Sequence, residues 1–127
     1  MDEAQHLLQA QHNARLSQFL DVDTTEFVGW NMVATFYEAL HYIDALNASE
    51  GGTPFKSHGE RNLFIQVSLP HIFDDYNMLY ALGRDVRYNN DYAYYLNDTS
   101  RQVAKRVRTE ELERIKQAVR HRGVAIP

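Results

Sequence analysis

Three short runs of this sequence carry side chains suited to proton transfer or phosphate binding. Tyr37, His41 and Asp44 are spaced i, i+4 and i+7, which puts them on one face of a helix. A histidine oriented by a carboxylate in that way can serve as a general base, and it can equally be a buried histidine satisfied by a hydrogen bond. Ser57-His58-Gly59-Glu60-Arg61-Asn62 gathers a histidine, a carboxylate and a guanidinium into the first turn of a helix. Free N–H groups and the helix dipole make that end receptive to an anion such as phosphate. The plainer alternative is that Ser57 and Glu60 cap the helix and His58 lies on the surface. Gly83-Arg84-Asp85-Val86-Arg87-Tyr88 supplies two arginines three apart, hence on one side of a helix, followed by an aromatic ring. Arg84, Arg87 and Tyr88 would suit a phosphate or a stacked base. Alternatively both arginines pair with Asp85, Asp91 or acids of the central helix.

Metal and cofactor chemistry finds little local support. Tyr37 and Ala45, four residues either side of His41, supply no second histidine, so no zinc or di-iron site is expected on that helix. The chain has no cysteine, and no phosphate-binding glycine loop, dinucleotide fingerprint or serine-hydrolase elbow is present. No cofactor is expected.

Helices must position these residues. Residues 2–20 place Ala4, Leu7, Leu8, Leu16, Phe19 and Leu20 at helical spacings. Residues 25–48 are apolar on two faces, which predicts a central helix packed on both sides, capped by Asp23 or Thr24. Ser57 and Glu60, in capping-box order, start a short helix ending before Pro70. Pro70 opens another, with Ile72, Tyr76, Leu79, Tyr80, Gly83, Val86 and Arg87 as its stripe. A tyrosine cluster in the connection that follows (Tyr88, Tyr92, Tyr94, Tyr95) is expected to cover the core or a subunit interface, with a base-stacking platform as the alternative. Thr99 or Ser100 then caps a last helix over residues 100–122, buried along Val103, Val107, Ile115 and Val119 and closed by Gly123. The expected fold is all-α, an antiparallel up-and-down bundle of four to five helices forming one domain over residues 1–127.

The 127 residues suit a single domain, and 44% apolar residues are too many for a disordered chain. No apolar run reaches the roughly 18 residues of a membrane span, and the acidic Met1-Asp2-Glu3 start is unlike a signal peptide. A soluble, cytoplasmic protein with no membrane association is expected. The net charge of −4 is uneven. Residues 101–127 carry eight Arg and Lys against three Glu, a net of +5, and the remainder carries −9. The basic segment therefore faces either a phosphate-bearing partner or the protein's own acidic helices.

The run from Trp30 to Ile43 (Trp30-Asn31-Met32-Val33-Ala34-Thr35-Phe36-Tyr37-Glu38-Ala39-Leu40-His41-Tyr42-Ile43) resembles the second helix of HEPN-superfamily proteins, where an aromatic pair shortly precedes a histidine. Ser57-His58-x-x-Arg61, then Tyr76-x-x-Leu79 and Gly83-Arg84-x-x-Arg87-Tyr88, follow the order of small stand-alone HEPN-like proteins. The resemblance covers roughly residues 25–90. It implies a helical bundle, a homodimer with sites near the two-fold axis, and a link to RNA cleavage or to nucleotidyltransferase partners. The ribonucleases of that superfamily carry an arginine followed after four to six residues by a histidine. Asn89, Asn90 and Asp91 occupy those places after Arg84, and Tyr92, Ala93 and Tyr94 after Arg87. Only Arg114 and His121 meet the spacing, at the end of the chain. Two functions are therefore expected. One is a metal-independent RNA-cleaving or RNA- or nucleotide-binding dimer, with His58 or His41 moving protons and Arg61, Arg84 and Arg87 holding phosphate. The other is a non-catalytic interaction module of antitoxin or adaptor type.

Overall fold

Side-chain caps start three of the six helices, and contacts between helices decide where the others begin and break. The computed structural model describes residues 1–127 and contains six α-helices, two 3₁₀ turns and no strand. Helix α1 (Glu3–Phe19) opens on a capping box in which Asp2 and Gln5 exchange side-chain to backbone bonds of 2.8 Å. Helix α2 (Val28–Ser49) begins at Val28 rather than at residue 25, and neither Asp23 nor Thr24 caps it. Arg101 donates to the carbonyls of Val22 and Thr25 at 2.7 and 2.9 Å, so those acceptors are held in a turn instead of a helix. Helix α3 (His58–Ser68) is capped as expected by Ser57, which accepts the Glu60 N–H. The Glu60 carboxylate turns to the Lys56 N–H, so only half of the capping box forms.

Pro70 starts a 3₁₀ turn, Pro70–Ile72, that leads into α4 (Phe73–Tyr88). The tyrosine connection folds as a second 3₁₀ turn, Tyr92–Tyr95, of which only Tyr95 is buried. Asn97, not Thr99 or Ser100, caps α5 (Asp98–Thr109) by accepting the Ser100 N–H at 2.8 Å. The expected single last helix is broken at Glu110 (φ −116°, ψ −76°), and α6 (Glu111–His121) follows. Beside the break the Thr109 hydroxyl donates to the carbonyls of Lys105 and Arg106, a side-chain competition that bends helices. Gly123 closes the helix at φ +99°, where a side chain would be strained.

Cross-contacts give the topology. His6 meets His41 and Ser17 meets Asn31, so α1 runs antiparallel to α2. Gly29 lies against Val86 while Phe36 packs on Tyr76, so α4 is antiparallel to α2 as well. Arg101 reaches Val22 while Arg108 reaches Glu38, and Lys116 lies over Tyr42 while Arg122 reaches Glu50, so α5 and α6 run parallel to α2. The bundle is up-and-down, with α3 bridging between α2 and α4. A Cβ on Gly83 would sit 3.2 Å from the Phe36 ring, so glycine there lets α4 approach α2 closely. No helix is long and apolar enough to cross a membrane.

As expected, α2 is central: it is buried along most of its length. The α1 stripe is a correction. Helix α1 buries His6, Ala10 and Ser17, and leaves Leu8, Leu16 and Phe19 exposed, the last at 84%. Small residues on the inner face allow the close approach to α2 that leucines would prevent.

Burial also obliges α2 to satisfy its polar side chains. Glu38, 1% exposed, accepts from Arg108 and from the Tyr42 hydroxyl, each at 3.0 Å. Arg108 also donates to Thr35 at 2.9 Å. Glu38→Ala should therefore cost about 3 kcal/mol in urea denaturation, because Arg108 would lose its buried counter-charge. A joint Glu38→Met, Arg108→Met replacement should recover most of that loss, and a double variant as unstable as the single one would disprove the account.

Candidate anion site and histidine pair

Helices α2, α3 and α4 bring most of the expected site residues to one face. His58 starts α3, half-buried, with its ring against Tyr80 and Phe36 at centroid distances of 5.2 and 6.2 Å. Arg84 is exposed and donates to the Tyr80 hydroxyl at 3.3 Å. Arg87 donates to the Gly83 carbonyl at 2.9 Å and to the Tyr37 hydroxyl. Both guanidiniums lie beside the Tyr88 ring, 5.9 Å for Arg84 and 5.3 Å for Arg87, and Tyr88 is 71% exposed. Neither arginine reaches a carboxylate. Asp85, the nearest in sequence, accepts instead from Asn89 at 2.6 Å.

That isolation is unusual in this chain. The basic C-terminal segment is neutralised by the protein itself: Lys105 pairs with Asp23, Arg106 with Glu111, Arg108 with Glu38, Arg114 with Asp75, Arg120 with Glu113 and Arg122 with Glu50. Arg101 is held by carbonyls. The charge imbalance between the two parts of the sequence is thus satisfied internally, and the cations left on the bundle around α4 are Arg84 and Arg87.

Arg61 belongs to a different class. It is 8% exposed and makes a bidentate pair with Asp44, Nε to Oδ1 at 2.7 Å and Nη2 to Oδ2 at 3.0 Å, with Phe55 stacked on it at 5.4 Å. Its remaining Nη1 reaches His58 Nδ1 at 3.3 Å. A guanidinium can only donate, so Nδ1 of His58 is the acceptor and the neutral ring carries its proton on Nε2. Burial first, then the charges of Arg61 and Arg87, push the His58 pKa below its ordinary value, so the ring is neutral at pH 7.

His41 lies apart from Arg84 and Arg87. Its Nδ1 faces Nδ1 of His6 at 3.0 Å, with Asp44 one turn away on α2. Tyr37, His41 and Asp44 share a helix face as expected, but Tyr37 serves Arg87 while the other two serve His6 and Arg61. His6 is the site residue that the sequence does not reveal. It sits on a polar, small-residue stripe of α1, and the absence of a second histidine near His41 on α2 says nothing of one arriving from another helix. Arg84 and Tyr88 are exposed and Arg87 and His58 half-buried, so they form an open face, and the recesses of about 420–490 Å³ lie elsewhere.

No family model, no curated protein and no solved structure matches this chain.

Burial, and then the neighbouring His6, push the His41 pKa down to about 4; burial lowers His6 too. One proton fits between the facing nitrogens, and a second would make both of them donors. The folded pKa lies below the unfolded value of about 6.5, so the unfolded chain binds more protons between the two. Stability should be full above pH 6.5 and fall on the order of 2 kcal/mol by pH 4, allowing for partial solvent screening. Urea melts in EDTA across that range should show this slope, and His41→Gln should flatten it. An unchanged slope in the variant would assign the acid sensitivity to other groups.

Proposed function

We propose that this chain is a HEPN-like protein that binds the phosphate backbone of RNA through Arg84, Arg87 and His58, acting as a homodimer. The observation that carries the reading is the pair of adjacent guanidiniums without carboxylate partners, beside an exposed tyrosine ring, in a protein that pairs six of its other eight arginines with carboxylates. Two cations and the Nε2–H of His58 provide donors for phosphate oxygens, and Tyr88 provides a surface on which a base stacks. An open face suits a polymer running past better than a small molecule, which enzymes and carriers generally enclose. Exposed Leu8, Leu16 and Phe19 on α1 support the dimer.

RNA cleavage without a metal is the second reading, favoured by a neutral imidazole beside two free cations. To take the 2′-hydroxyl proton, His58 needs a free lone pair, so Nδ1 must leave Arg61 or the ring must change tautomer. A purely binding role makes no such demand.

Fluorescence anisotropy with a single-stranded RNA oligonucleotide in EDTA tests the proposal. Arg84→Ala and Arg87→Ala should each weaken binding about tenfold or more and lower the salt slope by about one unit. Arg15→Ala, at an exposed arginine of α1, should change neither. Equal losses in all three variants would reduce the effect to bulk charge and reject the site. RNA cut by the wild type, and spared by His58→Ala at retained binding, would establish cleavage; intact RNA would leave a binding protein.

A further inference from the structure

We propose that His6, His41 and Asp44 form a binding site for one divalent first-row transition-metal ion, held between α1 and α2. This goes beyond the RNA reading and does not depend on it, because Arg84, Arg87 and His58 are not among the ligands. The ligand atoms of the three residues lie within 4.8 Å of one another. Two imidazole nitrogens and one carboxylate oxygen are a donor set that suits zinc and iron(II), leaving coordination positions for water.

The geometry is close to what an ion requires. Metal–nitrogen bonds of about 2.0–2.1 Å in a tetrahedral site set ligand atoms roughly 3.3 Å apart. The two Nδ1 atoms are 3.0 Å apart, so they need to part by only a few tenths of an ångström. A histidine binds metal as the neutral ring, through the lone pair of one ring nitrogen. The pair is otherwise an unrewarding arrangement: two like nitrogens share one proton.

The surroundings fit as well. Arg61 donates to both oxygens of Asp44, which orients the carboxylate while leaving lone pairs for an ion, as the outer shell of a metal site does. A recess of about 180 Å³, bordered by His6, Asp44, Asn47, Gly52 and Phe55, opens beside the ligands. It gives an access path and room for bound water.

Titration of the purified full chain with Co²⁺ tests the site. One equivalent should produce visible d–d absorption, and Zn²⁺ should displace it. His6→Gln and His41→Gln should each abolish the band, and His121→Gln, which alters an exposed histidine beside His71, should leave it intact. Absence of the band in wild type, or its loss in His121→Gln, would overturn the proposal. If the two ligand variants fail to fold, imidazole ¹⁵N spectra of the wild type decide. Zn²⁺ should shift Nδ1 of two histidines only, those of His6 and His41, and shifts confined to His12, His71 and His121 would reject the site. RNA binding in EDTA is independent of either result.

Discussion

The arrangement of polar groups in this bundle depends on the pairing of Asp44 with Arg61. A carboxylate on a helix packed by neighbours on nearly every side must find a cation, because an unpaired buried charge costs several kcal/mol. Arg61 reaches it from the first turn of α3, with both side chains about 10% exposed. That pair docks a short helix which contributes only two buried residues of its own, Arg61 and Ile65. The consequences spread both ways. On one side the third donor of Arg61 fixes the tautomer of His58; on the other, the carboxylate it steadies completes the group around His6 and His41.

The same rule explains why overall charge is a poor guide to partners here. The strongly basic C-terminal segment looks, by count, like the part of the chain that would meet nucleic acid. In the folded protein its cations are distributed over Asp23, Glu38, Glu50, Asp75, Glu111 and Glu113, several of them far away in sequence. Charge counted along a chain cannot register pairs closed across a bundle. Arg84 and Arg87, which reach no carboxylate, lie instead in the acidic part of the sequence, three residues apart on α4.

Helix existence was legible because its causes are local: apolar periodicity, Ser57 ahead of α3, and Pro70 at the start of a turn. Arg84, Arg87 and Tyr88 could be grouped for the same reason, since i, i+3 spacing fixes a shared side without knowledge of the fold. What escaped is what other helices decide. Helix α2 starts late because Arg101 occupies the carbonyls of the preceding turn. Helix α1 turns Leu8, Leu16 and Phe19 outward because Ala10 and Ser17 permit a tighter fit, and that choice is what carries His6 inward. The break at Glu110 had a faint signal, a threonine followed by glutamates that suit a first turn, but a continuous apolar stripe across it argued for one helix.

The two polar groups are therefore not electrically independent. Arg61 contributes its positive charge to both, and lowers the basicity of His6, His41 and His58 alike. Its guanidinium is planar and rigid, with three donors already directed, so it cannot follow Asp44 without changing its reach toward His58. An added positive charge beside Asp44 would weaken that carboxylate's hold on Arg61 and bring its oxygens into competition. Any rotation of the guanidinium that results is transmitted to Nδ1 of His58, the lone pair on which proton transfer at the open face would depend. The buried ion pair thus has a second physical role beyond docking α3, because it sets how far the histidine pair and the exposed arginines can change without each other.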